Sequence, residues 1–378
     1  MSGIGRRLDG KRVVIVAGSG GVGKTTASAA LALGLAAAGG RVAVVTIDPA
    51  RRLADALGLD ELGNEPRRVD RALLEGHGVR LRGELWAMML DPKATFDDLI
   101  VRLSPDATTR EEVLGNRIYA QLSSAIAGSQ EFSAVAKLYD VSRDGRFDVV
   151  VLDTPPSRNA LDFLDAPDRL ADLFDGRALR LLRAPTGIAA RFVGRGTGVV
   201  LALLRRLTGV DLLDDVAALL RALGGLIDGF RERAAAVKAL LSDPATSFLV
   251  VASPEREPVA EAIFFHGKLR EAGMPFGGLV VNRATVLDPA IGEPDAVRAD
   301  LRAHVGDALA AKVAASVADQ RLLAARDAAS IERLKAALGE REPIVVPRLE
   351  GDVQDVEGLI ALYRHLERGS PGADGRDS

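Results

Sequence analysis

The 378-residue chain contains no cysteine. Disulfides, thiolate zinc sites, iron–sulfur clusters, cysteine nucleophiles and thiol redox chemistry are thereby excluded. Histidine is scarce: His77, His266, His304 and His365 are scattered with no paired ligand spacing, so they read as surface or hydrogen-bonded residues. Long apolar runs are missing too. The longest candidate, Gly196 to Leu204, is bracketed by Arg195 and Arg205-Arg206 and falls well short of the ~20 residues that a membrane span needs. Positive charge is not in excess. The 49 Lys and Arg against 52 Asp and Glu give a formal net charge of -3, which offers no bulk attraction to nucleic acid or anionic lipid. Basic residues before Val13–Ala17 imitate a signal peptide, but that run is too short and leads into a glycine-rich turn. A cytoplasmic protein with no nucleic-acid partner is the expectation.

What is present is 48% hydrophobic and 27% charged residues, a balance that supports a packed core. Short apolar runs at Arg12–Ala17, Arg41–Ile47, Leu85–Leu90, Phe147–Leu152, Ser247–Ala252, Gly277–Val281 and Pro343–Val346 predict strands. Helical periodicity lies between most of them. The alternation predicts an α/β fold: a mostly parallel sheet covered by helices on both faces. From Ala166 to Leu241 no strand signal occurs, while Leu212, Val216, Leu219, Leu223 and Ile227 recur at helical spacing, which predicts a helical insertion. The chain then divides into a first core part, 1–165, with a helical stretch at 94–139, the insertion 166–241, a second core part 242–368 and a disordered tail 369–378.

Residues Gly18-Ser19-Gly20-Gly21-Val22-Gly23-Lys24-Thr25 satisfy G-x-x-x-x-G-K-[ST] between a predicted strand and the predicted helix Thr25–Ala38, the context of a P-loop. The glycines let backbone N–H groups from Gly20, Gly21, Val22 and Gly23 through Thr26 curl around phosphate oxygens at a positive helix end. Lys24 is placed for the β- and γ-phosphates, and the Thr25 hydroxyl for Mg²⁺. Asp48 and Asp153 each follow a strand. A nucleoside triphosphate site needs one carboxylate near Mg²⁺ and one group that orients the attacking water, and these two residues can fill those roles. No N-K-x-D stretch follows a late strand, which disfavours guanine.

The segments GSGGVGKTT (18–26), TIDPARRLADALGL (46–59), AMMLDP (87–92), DTPPSRNALDFL (153–164), VASPE (251–255), GLVVNR (278–283) and VPRLEGDVQDVEGL (346–359) resemble, in order, the arsenite-pump ATPase and tail-anchored-protein targeting family. That family belongs to the deviant P-loop ATPases. The resemblance implies ATP, Mg²⁺ and a nucleotide-sandwiching dimer. It implies that Asp48 orients the hydrolytic water, that Asp153 sits beside Mg²⁺ with Thr25, and that Asn282 reads the adenine edge. By a looser correspondence, Pro347, Arg348 and Leu349 close over the base. Ser19 departs from the pattern, because the family's loop carries there a lysine that reaches the partner's phosphates. Arg51, Arg52 and Arg158 are candidates to replace it, set against the reading that they are solvated surface.

The resemblance leaves the partner open between a homodimer and a heterodimer with a lysine-bearing paralogue. In the targeting factors the helical region holds a client's membrane helix. Here core packing and a groove for a hydrophobic client segment or membrane protein both account for the periodicity of 166–241, which contains no methionine. From Arg177 to Val210 all charges are arginine, which suits either a solvated face or an acidic partner.

Overall fold

A computed structural model of the chain describes residues 3–48, 50–117, 119–120, 129–154, 219, 222–288, 290–340, 342–349, 353 and 355–368. Arg158, most of 166–241 and the tail 369–378 lie outside the described residues.

Among them eight strands form one sheet: β1 (Val13–Ala17), β2 (Arg41–Thr46), β3 (Arg67–Arg68), β4 (Glu84–Met89), β5 (Val149–Asp153), β6 (Thr246–Ala252), β7 (Phe276–Ala284) and β8 (Ile344–Pro347). The order across the sheet is β3-β4-β2-β5-β1-β6-β7-β8. Every pairing is parallel except β3 with β4. The seven predicted strands are therefore present, with ends that coincide or are displaced by at most three residues. β3 was not expected: two exposed arginines carry no apolar signal, and they pair only because the chain passes the edge of β4.

All five residues of β1 and all seven of β6 are buried. A strand covered on both faces reads as a continuous apolar run, which is what a parallel sheet between two helix layers demands. On one face Val14, Val16, Val42 and Val44 pack with Leu31 and Leu33 of the helix Lys24–Ala37 and Leu359 and Leu362 of the helix Val356–Arg368. Helix Lys24–Ala37 is rich in alanine, a strong helix former, and buried on nearly every side. Its small side chains let it pack closely against the sheet, fixing the loop at its start.

On the other face Val13, Ile15, Val45 and Phe248 pack with Leu138, Val237, Phe265 and Leu334 from the helices Ser129–Arg143, Ile227–Ser242, Arg256–Glu271 and Asp307–Leu338. A third cluster joins helix Pro92–Leu103 to the described end of the 166–241 segment. Phe96 stacks on Phe230 with ring centroids 5.8 Å apart, and Ile100 and Leu226 are fully buried beside them. Asp140 pairs with Arg102 at 3.1 Å and also with Arg233, tying three helices together. No helix among the described residues is long and apolar enough to cross a membrane.

Candidate functional site

The loop between β1 and helix Lys24–Ala37 emerges at the carboxyl end of a central strand, where open α/β sheets present ligands. Two glycines there are dictated by space and backbone. A Cβ on Gly18 would come within 2.0 Å of the Val251 carbonyl oxygen at the adjacent β6. Gly23 has φ 91°, and a Cβ on it would lie 2.4 Å from Asn282 Nδ2. The helix starts without a side-chain cap and without an acid in its first turn. Its first N–H groups and its positive end are thus left to an anion.

Lys24 is buried, and its Nζ donates to the Ser19 carbonyl at 2.8 Å, closing the loop on itself. Burial pulls its ammonium below the ordinary lysine range, opposed by the charges of Asp153 and Asp48. Asp153, the last residue of β5, is 1% exposed. Its Oδ2 accepts from Thr25 Oγ1 at 2.7 Å and from Thr46 Oγ1 at 2.8 Å, whereas Oδ1 is buried with no hydrogen-bond partner. Burial pushes this carboxyl up to about 6, against the two hydroxyl hydrogen bonds and the Lys24 charge. A buried carboxylate oxygen without a donor beside a threonine hydroxyl is a hard-oxygen donor set, and it fits Mg²⁺. No group of three or more His, Cys, Asp or Glu is placed to hold a metal among the described residues. Mg²⁺ in phosphate sites takes only one or two protein ligands and completes its shell with phosphate and water.

Asp48 follows β2 and stands at the same end of the sheet. Its Oδ1 accepts from the Ala50 N–H at 3.0 Å and its Oδ2 lies 3.6 Å from Arg52. Its own N–H donates to Thr46 Oγ1 at 3.2 Å, so one hydroxyl links Asp48 to Asp153. Arg51 donates to the Asp60 carbonyl. Both arginines thus have partners within the chain. Ser19 is buried, and its hydroxyl has no hydrogen-bond partner.

Asn282, near the end of β7, donates from Nδ2 to the Val22 carbonyl at 2.8 Å and so touches the loop directly. Pro347 is in register with Ala284, and the Arg348 N–H donates to the Ala284 carbonyl at 2.9 Å. The structure therefore brings Asn282, Pro347 and Arg348 to adjoining strand ends, on the side of the loop away from Asp153. Two contributors escaped the sequence reading: Thr46, whose only signal is a hydroxyl at the end of an apolar strand, and Arg283, whose Nη1 donates to the Gly21 carbonyl at 2.9 Å.

Comparison with known proteins gives a family for the chain. The family described as anion-transporting ATPase matches residues 11–305, a stretch that includes the loop, Asp48, Asp153 and Asn282. ATPase get3 of Aspergillus terreus (strain NIH 2624 / FGSC A1156) is 34% identical over 159 residues, which is 41% of this chain and 43% of that protein. The chain thus matches less than half the length of this curated relative.

Gly23→Ala tests the loop's construction. The added methyl must displace the Asn282 amide from Val22 and hold a left-handed backbone, so the ligand-free protein is expected to lose about 1–3 kcal/mol of stability in urea unfolding. An unchanged midpoint would show that the loop relaxes freely.

Proposed function

The chain belongs to the anion-transporting ATPase family, and we propose that it hydrolyses ATP to ADP and phosphate with Mg²⁺, as a dimer whose nucleotide cycle opens and closes the two chains. The observation that carries this reading is the meeting of Thr25, Thr46 and Asp153 at the mouth of a P-loop, with one buried carboxylate oxygen unpartnered.

Each residue has a role that follows from its position. Backbone N–H groups from Gly20 to Thr26 receive the phosphates at the helix start. Lys24 exchanges the Ser19 carbonyl for β- and γ-phosphate oxygens, which moves its charge onto the atoms where negative charge builds up. Thr25 and Asp153 would hold Mg²⁺, which would supply neutralisation of the phosphate charge. Asp48 orients a water by accepting its hydrogen bond, so that the water oxygen bonds to the γ-phosphorus while the bond to the β–γ bridging oxygen breaks. Asn282, Pro347 and Arg348 flank the base.

The dimer reading is supported by the family, and Ser19 bears on which partner completes it. A neutral, buried side chain supplies no charge to a facing phosphate, and Arg51 and Arg52 have partners in their own chain. This favours a second form of the reading, in which the chain binds ATP, turns over slowly alone and pairs with a lysine-bearing paralogue. The helical region then serves as the surface for a hydrophobic client segment or a membrane protein, with the whole protein in the cytoplasm. Helices Ser129–Arg143 and Ile227–Ser242 pack on one face of the sheet that carries the site, and helix Pro92–Leu103 packs on them in turn, which supports a link between that region and the site.

Steady-state hydrolysis by purified protein tests the reading. Lys24→Ala is expected to lower turnover by at least about 10²-fold and to weaken ATP binding, because no other cation lies within the loop. Equal turnover would end the P-loop assignment. Asp48→Asn should keep ATP binding and lose about 10²–10⁴ in turnover; normal turnover would remove Asp48 from the chemistry. Specific activity of the wild type should rise with chain concentration, and a flat profile would argue against a dimer.

A further inference from the structure

Among the described residues one non-glycine backbone lies in the left-handed region: Arg283, at φ 60°. That conformation is disfavoured for any residue with a Cβ, and it persists only where the surroundings enforce it. It falls where the β7–β8 ladder shifts register, between Val281 and Ala284. Successive side chains of a regular strand point to opposite faces. Here two successive side chains reach the same loop. Asn282 Nδ2 donates to the Val22 carbonyl at 2.8 Å, and Arg283 Nη1 donates to the Gly21 carbonyl at 2.9 Å. The turn is closed by the Arg283 N–H, which donates to Asn282 Oδ1 at 3.0 Å.

These contacts orient the P-loop. In a trans peptide the N–H of one residue is antiparallel to the carbonyl of the residue before it. Fixing the Gly21 carbonyl toward Arg283 therefore points the Val22 N–H away from it, and fixing the Val22 carbonyl toward Asn282 does the same for the Gly23 N–H. Two consecutive N–H groups are turned together, which is how a backbone anion cradle is formed. Arg283 is itself exposed, so its hydrogen bond is not needed to satisfy a buried group of the core.

We propose that Arg283 is a positioning residue. Its left-handed backbone and its guanidinium, together with Asn282, set the P-loop in the phosphate-receiving form before nucleotide binds. This rests on the reading of the loop as an ATP site.

Arg283→Gly separates the two contributions, since glycine adopts φ 60° without strain and lacks the donor. Arg283→Lys retains a cationic donor. The measurements are MgATP affinity, kcat and KM, and the thermal midpoint of the nucleotide-free protein. Arg283→Gly is expected to melt no lower than wild type without nucleotide, to bind MgATP about tenfold more weakly and to change KM more than kcat, on the scale of one charge-assisted hydrogen bond. Arg283→Lys should recover most of the affinity. Wild-type affinity in Arg283→Gly overturns the proposal. So does a loss of affinity accompanied by a lower nucleotide-free midpoint and no recovery in Arg283→Lys, because that pattern marks a residue that only supports the fold. Wild type and Lys24→Ala that both fail to bind MgATP would overturn the ATP reading, and this proposal with it.

Discussion

One carboxylate oxygen joins three separate parts of the chain. Asp153 Oδ2 accepts hydroxyls from Thr25, at the start of the P-loop helix, and from Thr46, at the end of β2, while Asp153 itself ends β5. Parallel pairing places Val16 and Thr46 opposite Asp153 in the two neighbouring ladders, so the sheet register brings Thr46 to Asp153, and the loop that follows β1 brings Thr25. The junction is costly when empty. Its carboxyl is buried and pushed up to about 6, and its second oxygen has no donor. A group that folding leaves unsatisfied is one that a ligand can satisfy, and a divalent cation with phosphate oxygens has the required charge and hardness.

The sheet order distributes the rest of the site. From the P-loop at β1, β5 and β2 lie on one side and carry Asp153, Thr46 and Asp48 at their tips; β6, β7 and β8 lie on the other and carry Asn282, Arg283, Pro347 and Arg348. In the proposed complex a nucleotide lies across the strand ends, with its phosphates and cation over β1 and β5 and its base toward β7 and β8. The buried acid Asp153 lies on the β5 side of the loop, and the exposed Arg283 and Arg348 lie on the β7 and β8 side.

Much of this was legible in the sequence, for identifiable reasons. The P-loop is a backbone structure whose glycines are required by φ and by close approach at positions 18 and 23, so the residue pattern determines the geometry. Buried parallel strands reveal themselves as apolar runs, and the aspartates at strand ends follow from those runs. What stayed hidden depends on contacts distant in sequence. Thr46 becomes important only when β2 and β5 pair, 107 residues apart. Arg283, the last residue of GLVVNR, has no assigned role until its 262-residue contact with Gly21 forms. Asp327 reads as one more charge on a helix, yet it is buried and accepts the Thr285 N–H at 2.9 Å, holding the segment that follows Arg283. Its carboxyl is kept below the ordinary range by Thr285 and Arg326 despite the opposing effect of burial.

The hydrogen bonds also define how the parts of the site are coupled. Asp48 donates its N–H to Thr46 Oγ1, Thr46 donates to Asp153 Oδ2, and Asp153 accepts from Thr25, so the residue proposed to orient water is three bonds from the helix that receives phosphate. A hydroxyl has one proton to donate. If Asp153 turns to offer its unpartnered Oδ1 to a cation, Oδ2 moves with it, so the hydroxyls of Thr25 and Thr46 must follow or redirect, and the acceptor of the Asp48 N–H moves as well. In the proposed complex the segment after β2 is therefore tied to cation binding through a single side chain. Asn282 and Arg283 hold the opposite side of the loop through carbonyls, which leaves the N–H groups free. In the proposed cycle, ligand binding disturbs the contacts on one side of the P-loop and leaves those on the other intact, so a change in nucleotide state is expected to act toward β2 and β5 rather than toward the base.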